Sequence, residues 1–347
     1  MTAGASPNSK MYKRLLIVRL SSLGDIALTL PLLFALRMKM TASHIGWVVD
    51  EPFAPLLDSL AELDRIHVWK KKDRNPRGIW RLVKEIRAEG YEVSIDPQGL
   101  ARSALLPFIA HIPMRIGFKH HLLEGRELSP LLISHPVSPP GQLTHISARN
   151  LYLGSALGLD MPTRMPVKIP RRRRAGMKLE QWWKDNHLSP RTIVFGIGAG
   201  WPTRMWAVEE MAALVEEARD NGYRSVILWG PYEKGRLKAW KAKLGTKVTW
   251  APETDIPEMI ALLRLCNRFA GPDSAALHLA WLLGKPTFCW FGASDPERTA
   301  PRGIIHAFIA KGPHTWHRKK FTPTGLQTLT GTEALPIFKK WLGRSIS

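Results

Sequence analysis

Four loops of this sequence combine small residues with charged or hydroxyl side chains, and each follows an apolar run and precedes a helical pattern. The first loop, residues 21–25, ends in Asp25, which could be a catalytic base or a helix cap. Capping alone would explain this loop if it stood by itself. Neither G-x-G-x-x-G nor G-x-x-x-x-G-K occurs here, so nicotinamide binding and ATP hydrolysis are disfavoured.

The second loop, residues 196–206, reads GIGAGWPTRMW. Its glycines would let backbone amides approach an anion closely, the hydroxyl of Thr203 could donate to that anion, and the guanidinium of Arg204 could pair with phosphate oxygens. The pattern favours a diphosphate site. A flexible structural turn is the alternative, and glycines alone would not decide between the two.

The third loop lies within GPDSAALHLA, residues 271–280, and also opens a helix. Asp273 or Ser274 would cap that helix, whose amino end favours negative charge, and His278 falls one turn further on. A capped helix with a satisfied histidine explains the pattern equally well.

The fourth loop reads LWGPYE, residues 228–233. A nucleotide base could stack on Trp229 while Glu233 accepts hydrogen bonds from ribose hydroxyls. The alternative is that the tryptophan and the proline only pack a turn.

Two series of alternating strands and helices must position these loops, which predicts parallel sheets. The second series begins after a stretch rich in Pro and Arg, so we predict two Rossmann-like domains, 1–165 and 166–347, facing each other across a cleft. The last helix could pack against either domain. The predicted strands are residues 14–20, 45–49, 93–95, 192–197, 225–229, 268–271 and 287–291, and the predicted helices are 26–39, 80–89, 208–220, 256–266, 275–283 and 333–341.

The composition is that of a soluble globular chain with an unusual charge. Its 347 residues include 50 Lys and Arg against 29 Asp and Glu, a net charge of +21, which indicates an anionic partner: nucleic acid, a membrane surface or a phosphorylated substrate. The densest basic cluster, residues 171–174, suggests a surface loop that links domains. Cys266 and Cys289 lie in apolar stretches and are interpreted as buried thiols rather than metal ligands or a disulfide. No apolar run reaches the roughly 20 residues of a spanning helix.

Six motifs in register resemble glycosyltransferase family 9, the heptosyltransferases of lipopolysaccharide synthesis, over essentially the whole chain. They are RLSSLGDIALTLP, WVVDEPFAPLL, DPQGLARSAL, GAGWPTRMW, LWGPYE and the pair GPDSAALHLA with FGASDP. The arrangement is most similar to enzymes that add the first heptose to the Kdo sugars. The resemblance implies an α/β protein with the GT-B fold and an inverting, metal-independent transfer from ADP-heptose to the Kdo/heptose inner core.

The resemblance also implies a role for each site residue. Asp25 would be the general base, and Arg204 would stabilise the departing diphosphate. The other donor-binding residues would be Thr203, Trp229, Gly230, Glu233, Asp273, Ser274, Ala275 and His278. The acceptor would meet Ser22, Gly24 and Arg102. The implied partners are the nucleotide sugar, a lipid-linked anionic oligosaccharide and an anionic membrane surface, for a cytoplasmic enzyme attached peripherally to the inner membrane.

The sequence departs from the family pattern at three positions. Arg204 stands where Lys is usual, Ala207 replaces a proline, and Ala275 replaces a glycine. Another GT-B transferase with a different nucleotide sugar is therefore the first alternative. A basic nucleic-acid-binding protein is the second; it rests on charge alone, since no nucleic-acid-binding module is recognisable and no nucleic-acid partner is expected.

Overall fold

The computed structural model describes residues 12–119, 129–312, 326 and 328–344. The chain forms two compact units, Met1–Pro170 and Arg171–Ser347. The boundary therefore lies five residues beyond the predicted one, 170 against 165.

The N-terminal unit is a parallel sheet with the strand order β3-β2-β1-β4-β5-β6 among the residues described. Its central strand is the apolar segment RLLIV, of which the last four residues are fully buried, as expected for a parallel strand covered on both faces. Its strands are β1 (Arg14–Val18), β2 (His44–Asp50), β3 (Arg65–Trp69), β4 (Val93–Asp96), β5 (Met114–Phe118) and β6 (His135–Val137). Its helices are α1 (Leu23–Ala27), α2 (Leu30–Lys39), α3 (Ala54–Leu57), α4 (Pro76–Ala88), α5 (Ala101–Ile109), α6 (Ser129–Leu132) and α7 (Ile146–Tyr152).

The C-terminal unit repeats this architecture in its described part, with the order β12-β11-β10-β7-β8-β9. Its strands are β7 (Thr192–Gly196), β8 (Arg224–Leu228), β9 (Thr249–Trp250), β10 (Arg268–Pro272), β11 (Thr287–Phe291) and β12 (Ala307–Ala310). Its helices are α8 (Arg173–Asp185), α9 (Val208–Asp220), α10 (Leu237–Leu244), α11 (Ile256–Leu265), α12 (Ala275–Leu282), α13 (Pro296–Thr299) and α14 (Gly331–Leu342).

Both sheets have the Rossmann strand order, in which the chain reverses direction across the sheet between the first and the fourth strand. These switch points lie between β1 and β4 in one unit and between β7 and β10 in the other. Ligands of open parallel sheets bind outside the carboxyl ends of the strands at such points. The loops after these four strands are therefore the places to examine.

The first predicted helix, residues 26–39, is divided in two. The helix α1 ends at Ala27, and α2 begins at Leu30 with Pro31 in its first turn. Proline has no N–H to donate, and its ring clashes with the carbonyl one turn back, so an unbroken helix is disfavoured. The hydroxyl of Thr29 instead donates to the carbonyl of Asp25 at 2.8 Å.

The basic cluster at residues 171–174 begins at the boundary between the two units, but only Arg171 and Arg172 lie in the predicted linking loop. Arg173 and Arg174 form the first turn of α8, a helix that buries Ala175, Leu179 and Trp183 on one face. These three residues have the four-residue spacing of an amphipathic helix, which compensates for the unfavourable basic first turn.

The last helix, α14, packs on the C-terminal unit. It lies against α9 and β12, with Phe338 and Trp341 fully buried, and the backbone N–H of Gly331 donates to Glu210 of α9 at 2.5 Å. The sequence had left the position of this helix open. Both cysteines are free and buried, which confirms their interpretation as core thiols.

Candidate active site

The loop after β1 holds Asp25 at the start of α1. Its Oδ2 accepts hydrogen bonds from the hydroxyl of Ser22 at 2.9 Å and from the backbone N–H of Ser22 at 3.3 Å. Nη2 of Arg19 forms an ion pair with the same oxygen at 2.9 Å, and Arg19 also donates to the carbonyl of Pro97 at 2.8 Å. The carboxylate therefore takes part in a helix-capping arrangement and is also fixed by a buried guanidinium, while its side chain remains 27% exposed.

Arg102, at the start of α5, reaches the same loop. Its Nη2 donates to the hydroxyl of Ser21 at 2.6 Å, and its Nη1 lies 3.8 Å from Oδ2 of the buried Asp50. Arg74 pairs with that oxygen at 2.9 Å. The sequence predicted Arg102 but missed the surrounding charges, although Arg19 and Asp50 stand inside the motifs that carry the family resemblance.

The two other predicted acceptor residues differ in exposure. Ser22 is exposed, whereas Gly24 is buried within α1. Ser22, Asp25 and Arg102 thus offer the accessible surface at this edge of the sheet. Gly24 is buried and contributes little accessible surface for an acceptor.

Asp96, at the end of β4, is buried, and burial raises its pKa from the ordinary 3.8 to about 6, although Gly99, Ser103 and Gln98 donate hydrogen bonds to it. The folded state therefore binds a proton more tightly than the unfolded chain, and stability falls as pH rises from about 4 to about 6. Between pH 5 and pH 7 we expect the Asp96 contribution to the free energy of unfolding to fall by about 1 kcal/mol.

Denaturant unfolding at these two pH values tests this expectation. The Asp96→Asn variant should lose that part of the pH dependence, whereas Asp160→Asn, at an exposed position, should match the wild type. Equal pH dependence in all three proteins would show that Asp96 is ionised in the folded state throughout this range.

In the C-terminal unit, Arg204 follows β7 and meets Asp273 at the end of β10. Its Nη1 lies 3.1 Å from Oδ2 of Asp273, and Nε2 of His278 lies 3.2 Å from Oδ1 of the same carboxylate. Burial alone would raise the pKa of Asp273, but the charge of Arg204 and the hydrogen bond from His278 outweigh it and lower that pKa well below its ordinary value. Asp273 is thus a buried anion held between two partners.

Two side-chain donors in the loop after β7 lack protein partners. The Oγ1 of Thr203 and the Nε of Arg204 are buried and make no hydrogen bond to any residue that the structure describes. Buried donors in native proteins nearly always have a partner, so these two call for a ligand or water.

The helix α12 begins directly after β10, the strand that pairs with β7. Ser274 is its N-cap and accepts a hydrogen bond from the backbone N–H of Leu277 at 3.4 Å, which decides in favour of Ser274 over Asp273 as the cap. The amide of Ala275 lies in the first turn, where helix N–H groups have no intrahelical acceptor. A negatively charged group is stabilised at such an end.

The loop after β8 holds Trp229, Gly230 and Glu233. The indole N–H of Trp229 donates to the carbonyl of Ala251 at 2.7 Å, and Glu233 accepts from the backbone N–H of Gly230 at 2.8 Å. Burial raises the pKa of Glu233. A Cβ on Gly198 would lie 2.7 Å from the carboxyl carbon of Glu233, so the glycine loop after β7 permits the close approach of the two loops.

The geometry within the C-terminal unit is suited to an anion. The loops after β7 and β10 bring a guanidinium, a hydroxyl and a helix amino end to one edge of the sheet, and the loop after β8 adds an indole ring. Parallel strands place their carboxyl ends at one edge, which is why loops distant in sequence meet here. In the N-terminal unit the same edge carries a carboxylate and two arginines.

Comparison with solved structures identifies the class of the fold. The glycosyl transferase family 9 protein from Veillonella parvula DSM 2008 has a TM-score of 0.81 at 21% identity, over 96% of this chain and 98% of that chain. The E. coli heptosyltransferase WaaC with ADP has a TM-score of 0.69 at 22% identity, over 94% and 97% of the two chains. The fold is that of the GT-B glycosyltransferases.

Comparison of sequences gives the family. The model for glycosyltransferase family 9 (heptosyltransferase) matches residues 79–325. Lipopolysaccharide heptosyltransferase 1 of Pseudomonas aeruginosa is 27% identical over 300 residues, which cover 84% of this chain and 81% of that protein. The chain belongs to glycosyltransferase family 9, and the resemblance carried by its six motifs is confirmed.

Proposed function

We propose that this enzyme transfers heptose from ADP-heptose to the Kdo/heptose inner core of lipopolysaccharide. The observation that carries the proposal is the pair of buried donors without a partner among the described residues, Thr203 Oγ1 and Arg204 Nε, at the same sheet edge as the amino end of α12. These groups match the charge and the oxygen acceptors of a diphosphate.

The proposed reaction is a single displacement with inversion at the anomeric carbon. The acceptor hydroxyl oxygen forms a bond to that carbon as the bond to the phosphate oxygen breaks, Asp25 takes the hydroxyl proton, and ADP leaves with the bonding electrons. Arg204, Thr203 and the first-turn amides of α12 stabilise the charge that develops on the diphosphate. The chain supplies these positive groups itself, so the proposed mechanism uses no metal.

Asp273 has a supporting role in this proposal. The carboxylate is buried between Arg204 and His278, so it orients the guanidinium and the imidazole more directly than it reaches sugar hydroxyls. In the adjoining loop, the ring of Trp229 and the carboxylate of Glu233, which Gly230 positions, seat the adenosine.

The acceptor binds at the edge of the N-terminal sheet. Arg102 and the exposed Ser22 flank Asp25, and a guanidinium there attracts the carboxylates of Kdo. The acceptor is lipid-linked and anionic, so the proposed location is the cytoplasmic face of the inner membrane, with peripheral attachment. No helix in the described part of the chain is long and apolar enough to cross a bilayer.

A GT-B transferase with another nucleotide sugar is the second candidate. Ala207 and Ala275 replace residues usual in the family and lie beside the proposed diphosphate site, so the donor preference could differ. Purified enzyme should be supplied with one acceptor and a series of nucleotide sugars. The fastest turnover with ADP-heptose would support the proposal, and faster turnover with another donor sugar would support the second candidate instead.

Salt-sensitive DNA binding without any transfer would support the nucleic-acid-binding alternative.

A further inference from the structure

The exposed face of α4 is strongly basic. Residues 70–88, which comprise α4 and the six residues before it, contain eight Lys or Arg against two Asp or Glu, and four of the eight, with Glu85, lie in α4 itself. The helix buries Leu82, Val83 and Ile86 in the core, so its charged side chains lie on the outer face. Arg77 and Lys84 are exposed and form no ion pair with any residue that the structure describes.

An apolar hollow adjoins this basic face. It has a volume of about 430 Å³ and is lined by side chains of α4, α5 and the turn after α5, among them Trp80, Phe108 and Pro113. Trp80 is 48% exposed and Phe108 is 44% exposed. Leu105, one helical turn before Phe108, is 38% exposed, so three large apolar side chains lie close to the surface on two neighbouring helices.

Arginine side chains hold the two aromatic rings in place. The guanidinium of Arg87 lies 5.8 Å from the ring centre of Trp80 and donates to the carbonyl of Ile109 at 2.6 Å. Arg115 lies 5.3 Å from the ring centre of Phe108 and donates to the carbonyl of Leu132 at 2.7 Å. Exposed rings fixed in this way form a preorganised apolar surface with positive charge at its edges.

We propose that this surface, the outer face of α4 with Trp80, Leu105 and Phe108, docks the enzyme on an anionic phospholipid bilayer. Aromatic side chains prefer the headgroup level of a membrane, and clusters of four to eight Lys or Arg bind anionic lipids. Charge complementarity and the adjoining exposed rings favour a membrane over a nucleic acid, which would need a groove for the phosphate backbone or a recognisable binding module.

The position of α4 also suits a lipid-linked acceptor. Arg74, just before α4, pairs with Asp50 at 2.9 Å, and Asp50 lies near Arg102, which contacts the loop of Asp25. The basic face thus begins beside the proposed acceptor site and continues along α4 to the apolar hollow. The idea that docking brings the enzyme to a lipid-linked acceptor rests on the proposed function. The binding of this surface to lipid does not, and it is tested separately.

The test is flotation of the full chain with vesicles of phosphatidylglycerol and phosphatidylcholine, and with phosphatidylcholine alone. We expect binding to the anionic vesicles only. Each basic residue near an anionic surface contributes about five-fold in binding, so reversing two charges in Arg77→Glu/Lys84→Glu should lower partitioning at least about 30-fold. The Trp80→Ala/Phe108→Ala variant should lower it without removing charge.

The matched control is Arg173→Glu/Arg174→Glu, which makes the same charge change at the exposed start of α8. It should retain most of the binding, and circular dichroism should show that all variants are folded. Equal losses in the two charge variants, or no flotation of the wild type, would overturn the proposal. Transfer to a soluble, delipidated acceptor should survive in Arg77→Glu/Lys84→Glu, so loss of docking and loss of enzymatic function are distinguishable.

Discussion

Replacement of Asp25 by Ala or Asn is expected to abolish turnover while leaving the binding of ADP intact. General-base catalysis contributes about 10²- to 10⁴-fold to the rate, so kcat should fall by at least about 100-fold in both variants. The residues that contact ADP in the proposal all belong to the C-terminal unit, whereas Asp25 belongs to the N-terminal unit. The measurements are steady-state transfer and calorimetric titration with ADP.

The two variants also separate the chemical role of Asp25 from its contribution to the capping arrangement. Both variants lose the ion pair with the buried Arg19, but Asn keeps an oxygen that can accept from Ser22, so Ala should destabilise the fold by about 1 kcal/mol more than Asn. Asp160→Ala, at an exposed position of the same unit, should retain full activity. Substantial turnover by Asp25→Asn would contradict the assignment of the base.

Arg204→Ala is expected to slow transfer by about 10²- to 10³-fold, whereas Arg204→Lys should stay within about ten-fold of the wild type. Lysine restores the positive charge and is the residue that the family resemblance leads us to expect at this position. It has a different donor geometry from the planar guanidinium, which explains why recovery should be incomplete. Single-turnover rates with saturating ADP-heptose are the direct measurement.

Stability needs a control in this experiment because Asp273 is buried against Arg204. The alanine variant removes the guanidinium partner of the buried carboxylate, and an incompletely paired buried charge is destabilising. Rates should therefore be compared well below the melting temperature of each variant, with Arg224→Ala at the exposed start of β8 as the matched arginine control. Equal losses for Arg204→Ala and Arg204→Lys would show that this residue does not act as a charge.

The sequence predicted the central strands and the loops that follow them because these segments carry strong local signals. The strands β1, β7, β8, β10 and β11 are buried apolar runs, and small residues mark the turn after each of them. The helix predicted over residues 80–89 is α4, Pro76–Ala88, and Gly90 just beyond it has φ +64°, the left-handed conformation that ends a helix.

Two of the strands that the sequence did not predict are short edge strands. The edge strand β6 has only the residues HPV, and β9 has only Thr249 and Trp250, so neither contains a readable alternation. The helix α8 was hidden by its arginine run, although the spacing of Leu179 and Trp183 could have indicated it.

Partners of the site residues depend on tertiary structure. The ion pair of Asp25 with Arg19 spans only six residues, but its geometry depends on a contact far away in sequence: Arg19, directly after β1, also donates to the carbonyl of Pro97, 78 residues away. No sequence pattern predicts that Arg204 and Asp273 meet, since their contact exists only because β7 and β10 are neighbours in the sheet. The predicted roles of these residues remain proposals.

The central claim is tested most directly by ADP release from ADP-heptose, with and without a Kdo-terminated lipid A acceptor. The account predicts release that depends on the acceptor and disappears in Asp25→Asn. Absence of acceptor-dependent release, in a protein that still binds ADP, would contradict transfer to the first Kdo and would direct attention to a later core acceptor or another donor sugar.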